Sequence, residues 1–151
     1  MTPTFAIYYF AGTPVRPIGF SAYLTNQTRF YSEGEQIQFP ATLTNVGYHY
    51  QAESSLFVCP VDGLYAFATF LVSIDYNPNY SATIMHEGAA LTSALTHTDG
   101  NHDQGQALTV TSCYAGDRVW VQKLTEVSPI KADDDAGEKL SSFSGYLIRA
   151  F

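Results

Sequence analysis

The chain has 151 residues, of which 46% are apolar and 14% charged. That balance excludes intrinsic disorder and gives enough chain for one self-sufficient core. Seven Lys and Arg stand against 14 Asp and Glu, a formal charge of -7, which argues against nucleic-acid binding and against docking on anionic bilayers; no apolar run is long enough for a helical membrane span.

In chain order, Phe5 to Ala11 (FAIYYFA) is apolar with no basic residue before it. It reads as an edge or subunit-contact strand, or as the remnant of a longer leader. Residues 1–17 are set apart as an N-terminal segment and 18–151 as one globular domain. Phe20 to Leu24 is a strand, and Ser32 to Glu35 a turn. Ile37, Phe39, Ala41 and Leu43 alternate at period two, the pattern of a strand with one buried face. Asn45-Val46-Gly47 turns the chain, and Leu56 to Val61 is the next strand. Leu64 to Ile74 (LYAFATFLVSI) is apolar on both faces, so a central strand is expected there, covered on both sides or covered on one by another subunit. Ser81–Met85, Ala89–Thr96, Leu108–Tyr114, Arg118–Leu124 and Ser142–Phe151 follow as strands. His97 to Gln104 and Pro129 to Lys139 read as polar loops. Aromatic residues at 15% suit pleated surface better than helix. Nine or ten short strands at this spacing predict an all-β, antiparallel jelly-roll sandwich.

No G-x-S-x-G, no H-E-x-x-H and no nucleophile–base spacing is found, so an enzyme is not expected. Cys59 and Cys113 lie in apolar strand-like runs, where free cysteine behaves as a small hydrophobe. Two buried thiols are the favoured reading and a Cys59–Cys113 bridge the alternative. Asn26 and Asn79 head N-glycosylation sequons, which matter only if the chain is secreted.

The richest chemical cluster is His97, Asp99, Asn101, His102, Asp103 and Gln104. Calcium takes several oxygens from carboxylates, amides and carbonyls, and a loop of this composition can supply them. Asp99, Asp103, Asn101 and Gln104 are therefore the candidate calcium ligands. His97 and His102 are poorer ligands for so hard a cation and are assigned to orienting the loop or meeting a bound ligand. Tyr76 and Tyr80, beside the Asn77-Pro78-Asn79 break, offer rings suited to stacking on a sugar. Asp133, Asp134 and Asp135 form a second acidic loop.

Five segments in order carry a family resemblance: Phe20-Ser21-Ala22; Asn45-Val46-Gly47 with Tyr50; Phe57 to Phe67 (FVCPVDGLYAF); Gly116 to Gln122 (GDRVWVQ); and Ser142 to Leu147 (SFSGYL). Together they resemble the C1q globular domain, within the C1q/tumour-necrosis-factor superfamily. The resemblance implies ten strands in two five-stranded sheets. It implies a homotrimer packed around an aromatic-rich axis, and a secreted, extracellular protein. It also implies a pattern-recognition or lectin-like role in innate immunity, with microbial glycans or lipopolysaccharide as ligands. The alternative partner is an extracellular protein, for a receptor-ligand or matrix module. With no Gly-X-Y collagen register, the chain is similar to stand-alone domains of invertebrate, mollusc-like type. Structural roles follow for Phe57, Tyr65, Phe67, Gly116, Phe143 and Gly145. Gly63 is placed at a tight turn, Cys59 as an unpaired core thiol, and Trp120 in core or subunit packing, with a sugar-stacking platform as its alternative. Some members hold calcium near the trimer apex through Asp residues of the loop matching 97–104, with Asp103 close to one of those positions.

Overall fold

The computed structural model describes residues 16–25, 29–73, 80–96, 103–124, 128–130 and 139–151. Among them there is no helix, and twelve strands are present. These are β1 (Gly19–Tyr23), β2 (Arg29–Tyr31), β3 (Ala41–Val46), β4 (Tyr50–Gln51), β5 (Leu56–Val58) and β6 (Gly63–Ser73). β7 (Tyr80–His86), β8 (Ala89–Thr96), β9 (Asp103–Cys113), β10 (Arg118–Lys123), β11 (Ser128–Ile130) and β12 (Ser142–Ala150) follow.

They form a jelly-roll sandwich of two antiparallel sheets. One runs β3-β1-β12-β6-β9, with the three-residue strands β11 and β2 added beyond the start of β12. The other runs β4-β5-β10-β7-β8. β6 is central, paired along its whole length with β9 and over Gly63 to Phe70 with β12. Its period-two pattern decides the layering. Tyr65, Phe67, Thr69 and Leu71 point inward and are wholly buried, while Leu64, Ala66, Ala68 and Phe70 form the opposite face.

The core between the sheets is a chain of stacked and edge-packed rings. Phe20 stacks on Tyr50 at 4.7 Å and on Phe57 at 4.9 Å, and meets the edge of Phe143 at 4.9 Å. Phe67 packs on Phe57 and Tyr65. The tyrosine hydroxyls are satisfied where they are buried: Tyr50 donates to the Phe39 carbonyl at 2.8 Å and Tyr65 to that of Val61 at 2.7 Å. Gly145 has to be glycine, because a Cβ there would lie 2.5 Å from a Phe67 ring carbon and 2.8 Å from one of Phe20. At Gly63 a Cβ would lie 2.6 Å from the Arg149 carbonyl oxygen. Gly116, at φ 91°, makes the turn that enters β10.

Five expectations are corrected. Ile37 and Phe39 are buried, but the alternation does not continue as one strand. Pro40 breaks the run, and β3 then carries Leu43 outward on the other sheet. Ser128–Ile130, read as part of or beside a polar loop, is strand β11 because it pairs with β2. Asp103 and Gln104, placed in a loop, begin β9 opposite Ser73 and Val72. Cys59 and Cys113 are bonded to each other rather than being free thiols. The sandwich brings the end of β5 over the end of β9, with Cα atoms 6.2 Å apart, inside the range a disulfide spans. Trp120 leaves β10 on the side opposite the buried Val119 and Val121, so it is a half-buried outer-face residue and does not belong to the core.

Candidate functional site

Two surfaces stand out: a bare apolar sheet face, and one end of the sandwich.

The outer face of the larger sheet is read from register. Residues directly opposite on antiparallel strands share a face. One cross-strand row is Val46, Gly19, Tyr146, Ala66 and Val110, and the next is Thr44, Ser21, Ser144, Ala68 and Leu108. Val110, Tyr146 and Leu108 are more than half exposed. The only polar side chains in the second row other than Thr44 are Ser21 and Ser144, whose hydroxyls bond each other at 3.0 Å. A shallow apolar depression lies between Ala66, Ala68, Leu108 and Tyr146. The sequence reading of β6 as apolar on both faces thus has a direct cause: the second face is left bare by the single chain.

The loop-bearing end is set by the strand ends. Ser73 pairs with Asp103 and with Ile130, Tyr80 with Thr96, and Ala82 with Lys123. Segments 74–79, 97–102, 125–127 and 131–138 all attach at this end. Of the sequence-assigned site residues, Tyr76, His97, Asp99, Asn101, His102 and Asp133 to Asp135 lie outside the described residues, as do both sequons' asparagines and the 5–11 run. Tyr80 opens β7. Asp103 and Gln104 are consecutive strand residues, so their side chains leave opposite faces of the sheet. Asp103 accepts the Gln104 backbone N–H at 2.9 Å, and Gln104 Nε2 lies 3.5 Å from the Leu140 carbonyl. The two are therefore not brought together as ligands of one ion.

The same end holds a residue that sequence reasoning missed. Lys123 is wholly buried at the end of β10. Its backbone receives Gly34 N–H at 2.8 Å and donates to the Glu35 carbonyl at 2.9 Å, fastening the Ser32–Glu35 turn to the sandwich. Burial pushes its amine down to about 8, against a smaller upward pull from Glu33. The signal was available: Lys123 continues the inward face of Val119 and Val121. Nearby, Lys139 Nζ sits 5.0 Å over the Tyr23 ring.

With the sandwich, its register and its motif positions in place, the relatives can be set beside it. The C1q domain profile matches residues 19–148. The chain belongs to the C1q domain family. It is 33% identical over 132 residues to complement C1q tumor necrosis factor-related protein 2 of Mus musculus and, equally, of Homo sapiens. The matches cover 86% of this chain but 44% and 45% of those proteins, so the chain spans less than half the length of the relatives it matches. These relatives are vertebrate, and nothing among them carries the expected invertebrate affiliation. Among solved structures, the globular domain of zebrafish complement 1qA superposes with a TM-score of 0.71, at 18% identity over 90% of this chain and all of that one. A TNF, Eiger of S. frugiperda, superposes with 0.75 at 10% identity, over 89% of this chain and 94% of that one. The C1q domain here thus shares its sandwich with the TNF-like folds.

Proposed function

We propose that this C1q domain works as a secreted, trimeric recognition module that binds microbial surface carbohydrate or lipopolysaccharide. One observation carries the reading: four connecting segments, which hold most of the chain's aromatic, imidazole and carboxylate candidates, attach at one end of the sandwich. A rigid scaffold that presents several loops together is the usual way a β-sandwich builds a binding surface. The bare face of Leu108, Val110 and Tyr146 supports self-association, since three-fold contacts that close into a ring would cover it in every copy. The reading makes calcium a loop-bound ion, with Asp103 and Asp99 as carboxylate ligands and Asn101 or loop carbonyls completing the shell.

Glycan-array and lipopolysaccharide binding by the purified oligomer, at several pH values with and without calcium, tests the ligand. Absence of binding throughout would remove this reading. Calorimetry tests the ion: calcium should raise the melting temperature, and Asp103→Asn should weaken that response more than Asp134→Asn. A response removed by Asp134→Asn alone would move the ion to the Asp133–Asp135 loop. The second reading is a module for an extracellular protein, favoured by relatives named C1q/TNF-related proteins. A pull-down from native fluid that returns one stoichiometric protein, with no glycan binding, would decide for it.

A further inference from the structure

The opposite end of the sandwich holds a cluster that the recognition surface does not use. His86 ends β7, Asp117 lies in the turn before β10, and Cys113 ends β9. His86 Nε2 lies 2.8 Å from Asp117 Oδ2. The same carboxylate oxygen accepts the Tyr114 backbone N–H at 3.1 Å. The Asp117 carbonyl accepts Cys59 N–H, and the Cys59 carbonyl accepts Gly116 N–H, both at 2.8 Å. One ligand atom each of His86, Cys113 and Asp117 lies within 4.8 Å of the other two, and the Cys59 sulfur is bonded to that of Cys113. Thiolate, imidazole and carboxylate at such separations are the donor set of a tetrahedral zinc site, whose ligand atoms sit about 2.0–2.3 Å from the ion.

We propose that Cys59, Cys113, His86 and Asp117 form a zinc-binding site in the chain before the disulfide closes. Both cysteines are wholly buried in the oxidised fold, so the metal-bound form belongs to the reduced, folding chain and not to a folded chain attacked by a reductant. Zinc displaces a proton from each thiol and coordinates His86 through a neutral ring nitrogen. Closure then uses an external disulfide as oxidant. The two thiolates lose two electrons and become Cys59–Cys113. The external disulfide takes those electrons with two protons and leaves as two thiols, and Zn²⁺ is released. The corner joining β5, β7, β9 and β10 is thus held by a metal before oxidation and by a covalent bond after it.

The full chain is reduced while unfolded, desalted without oxygen, and refolded with Co²⁺ or Zn²⁺. The expected result is one metal per reduced chain, a sulfur-to-cobalt charge-transfer band, a melting temperature raised by zinc, and loss of the metal on oxidation. His86→Asn and Asp117→Asn should each weaken binding by roughly 10-fold or more, since even an outer-shell partner is worth that much. Their oxidised forms should melt cooperatively, showing that they fold. Three results would each overturn the proposal: bound cobalt without the thiolate band, equal affinity in reduced and oxidised chains, or a reduced double variant that binds as tightly as the parent. Because the wild-type spectrum is decisive alone, a variant that fails to fold does not shelter the idea.

Discussion

Gly145→Ala adds one methyl group at the most crowded point of the core. Its Cβ would lie 2.5 and 2.9 Å from two Phe67 ring carbons and 2.8 Å from one of Phe20. Neither ring can step aside freely. Phe20 is clamped between Tyr50 and Phe57, and Phe67 between Tyr65 and Phe57. Overpacking of this kind destabilises by about 1–3 kcal/mol, and the clamped rings place the value at the upper end. Loss of glycine freedom in the unfolded chain returns about 0.4–1 kcal/mol. The net expectation is about 2 kcal/mol of lost stability, read by urea denaturation at fixed protein concentration. Phe67→Leu should relieve the clash, so the double variant should be more stable than the sum of the single losses implies. A Gly145→Ala loss below about 0.5 kcal/mol, or strict additivity with Phe67→Leu, would refute the packing argument.

Other outcomes follow from the same geometry. Phe67→Ala should lose about 3–5 kcal/mol through transfer and cavity terms, measured in the same assay. Replacing both cysteines with alanine frees a cross-link between residues 54 apart in sequence, worth about 4 kcal/mol of chain entropy, so melting should fall sharply. Lys123 is depressed to about 8 in the fold by burial. Below that pH both states hold the proton and the penalty is constant. Between pH 8 and the unfolded value of 10.5 only the unfolded chain still holds it, so stability should rise with pH by no more than about 3 kcal/mol, and Lys123→Met should flatten that rise. Leu108→Asp, on the exposed row beside Ala68, should shift sedimentation toward monomer while leaving the β-sheet spectrum unchanged. Retention of the oligomer would mean that another face makes the contact.

The fold was legible where period-two patterning was strong. β6 announced its own centrality, because a strand apolar on both faces needs cover on both; the single chain supplies one layer and leaves the other face bare. The Gly63-to-Phe67 and Ser142-to-Leu147 motifs placed the two strands that make the core. What was hidden depends on register and crossover. The Ile37–Leu43 alternation looked like one strand; Pro40 marks a break locally, but which sheet receives the chain beyond it is set by partners distant in sequence. β11 is three residues long and exists through its pairing with β2, so its own sequence carries almost no signal. His86 and Asp117 are 31 residues apart and meet only because Val119 pairs with His86. Cys59 and Cys113 could not be joined on paper, because each run reads equally well as a buried thiol. At the loop-bearing end, composition marked the acidic and aromatic segments, but the divergence of Asp103 and Gln104 needed the strand that holds them.

The central claim is that the end carrying the 74–79, 97–102 and 131–138 segments recognises a ligand. Its most direct measurement is binding of the oligomer to immobilised lipopolysaccharide and to a glycan array, comparing the parent with His97→Ala and Tyr76→Ser. Tyr48→Ser, at an 87% exposed position in the turn between β3 and β4, serves as a control away from that end. The account predicts binding by the parent and by Tyr48→Ser, and its loss in the two loop variants at unchanged melting temperature. Binding that survives both loop changes, or that is lost with Tyr48→Ser instead, would contradict it.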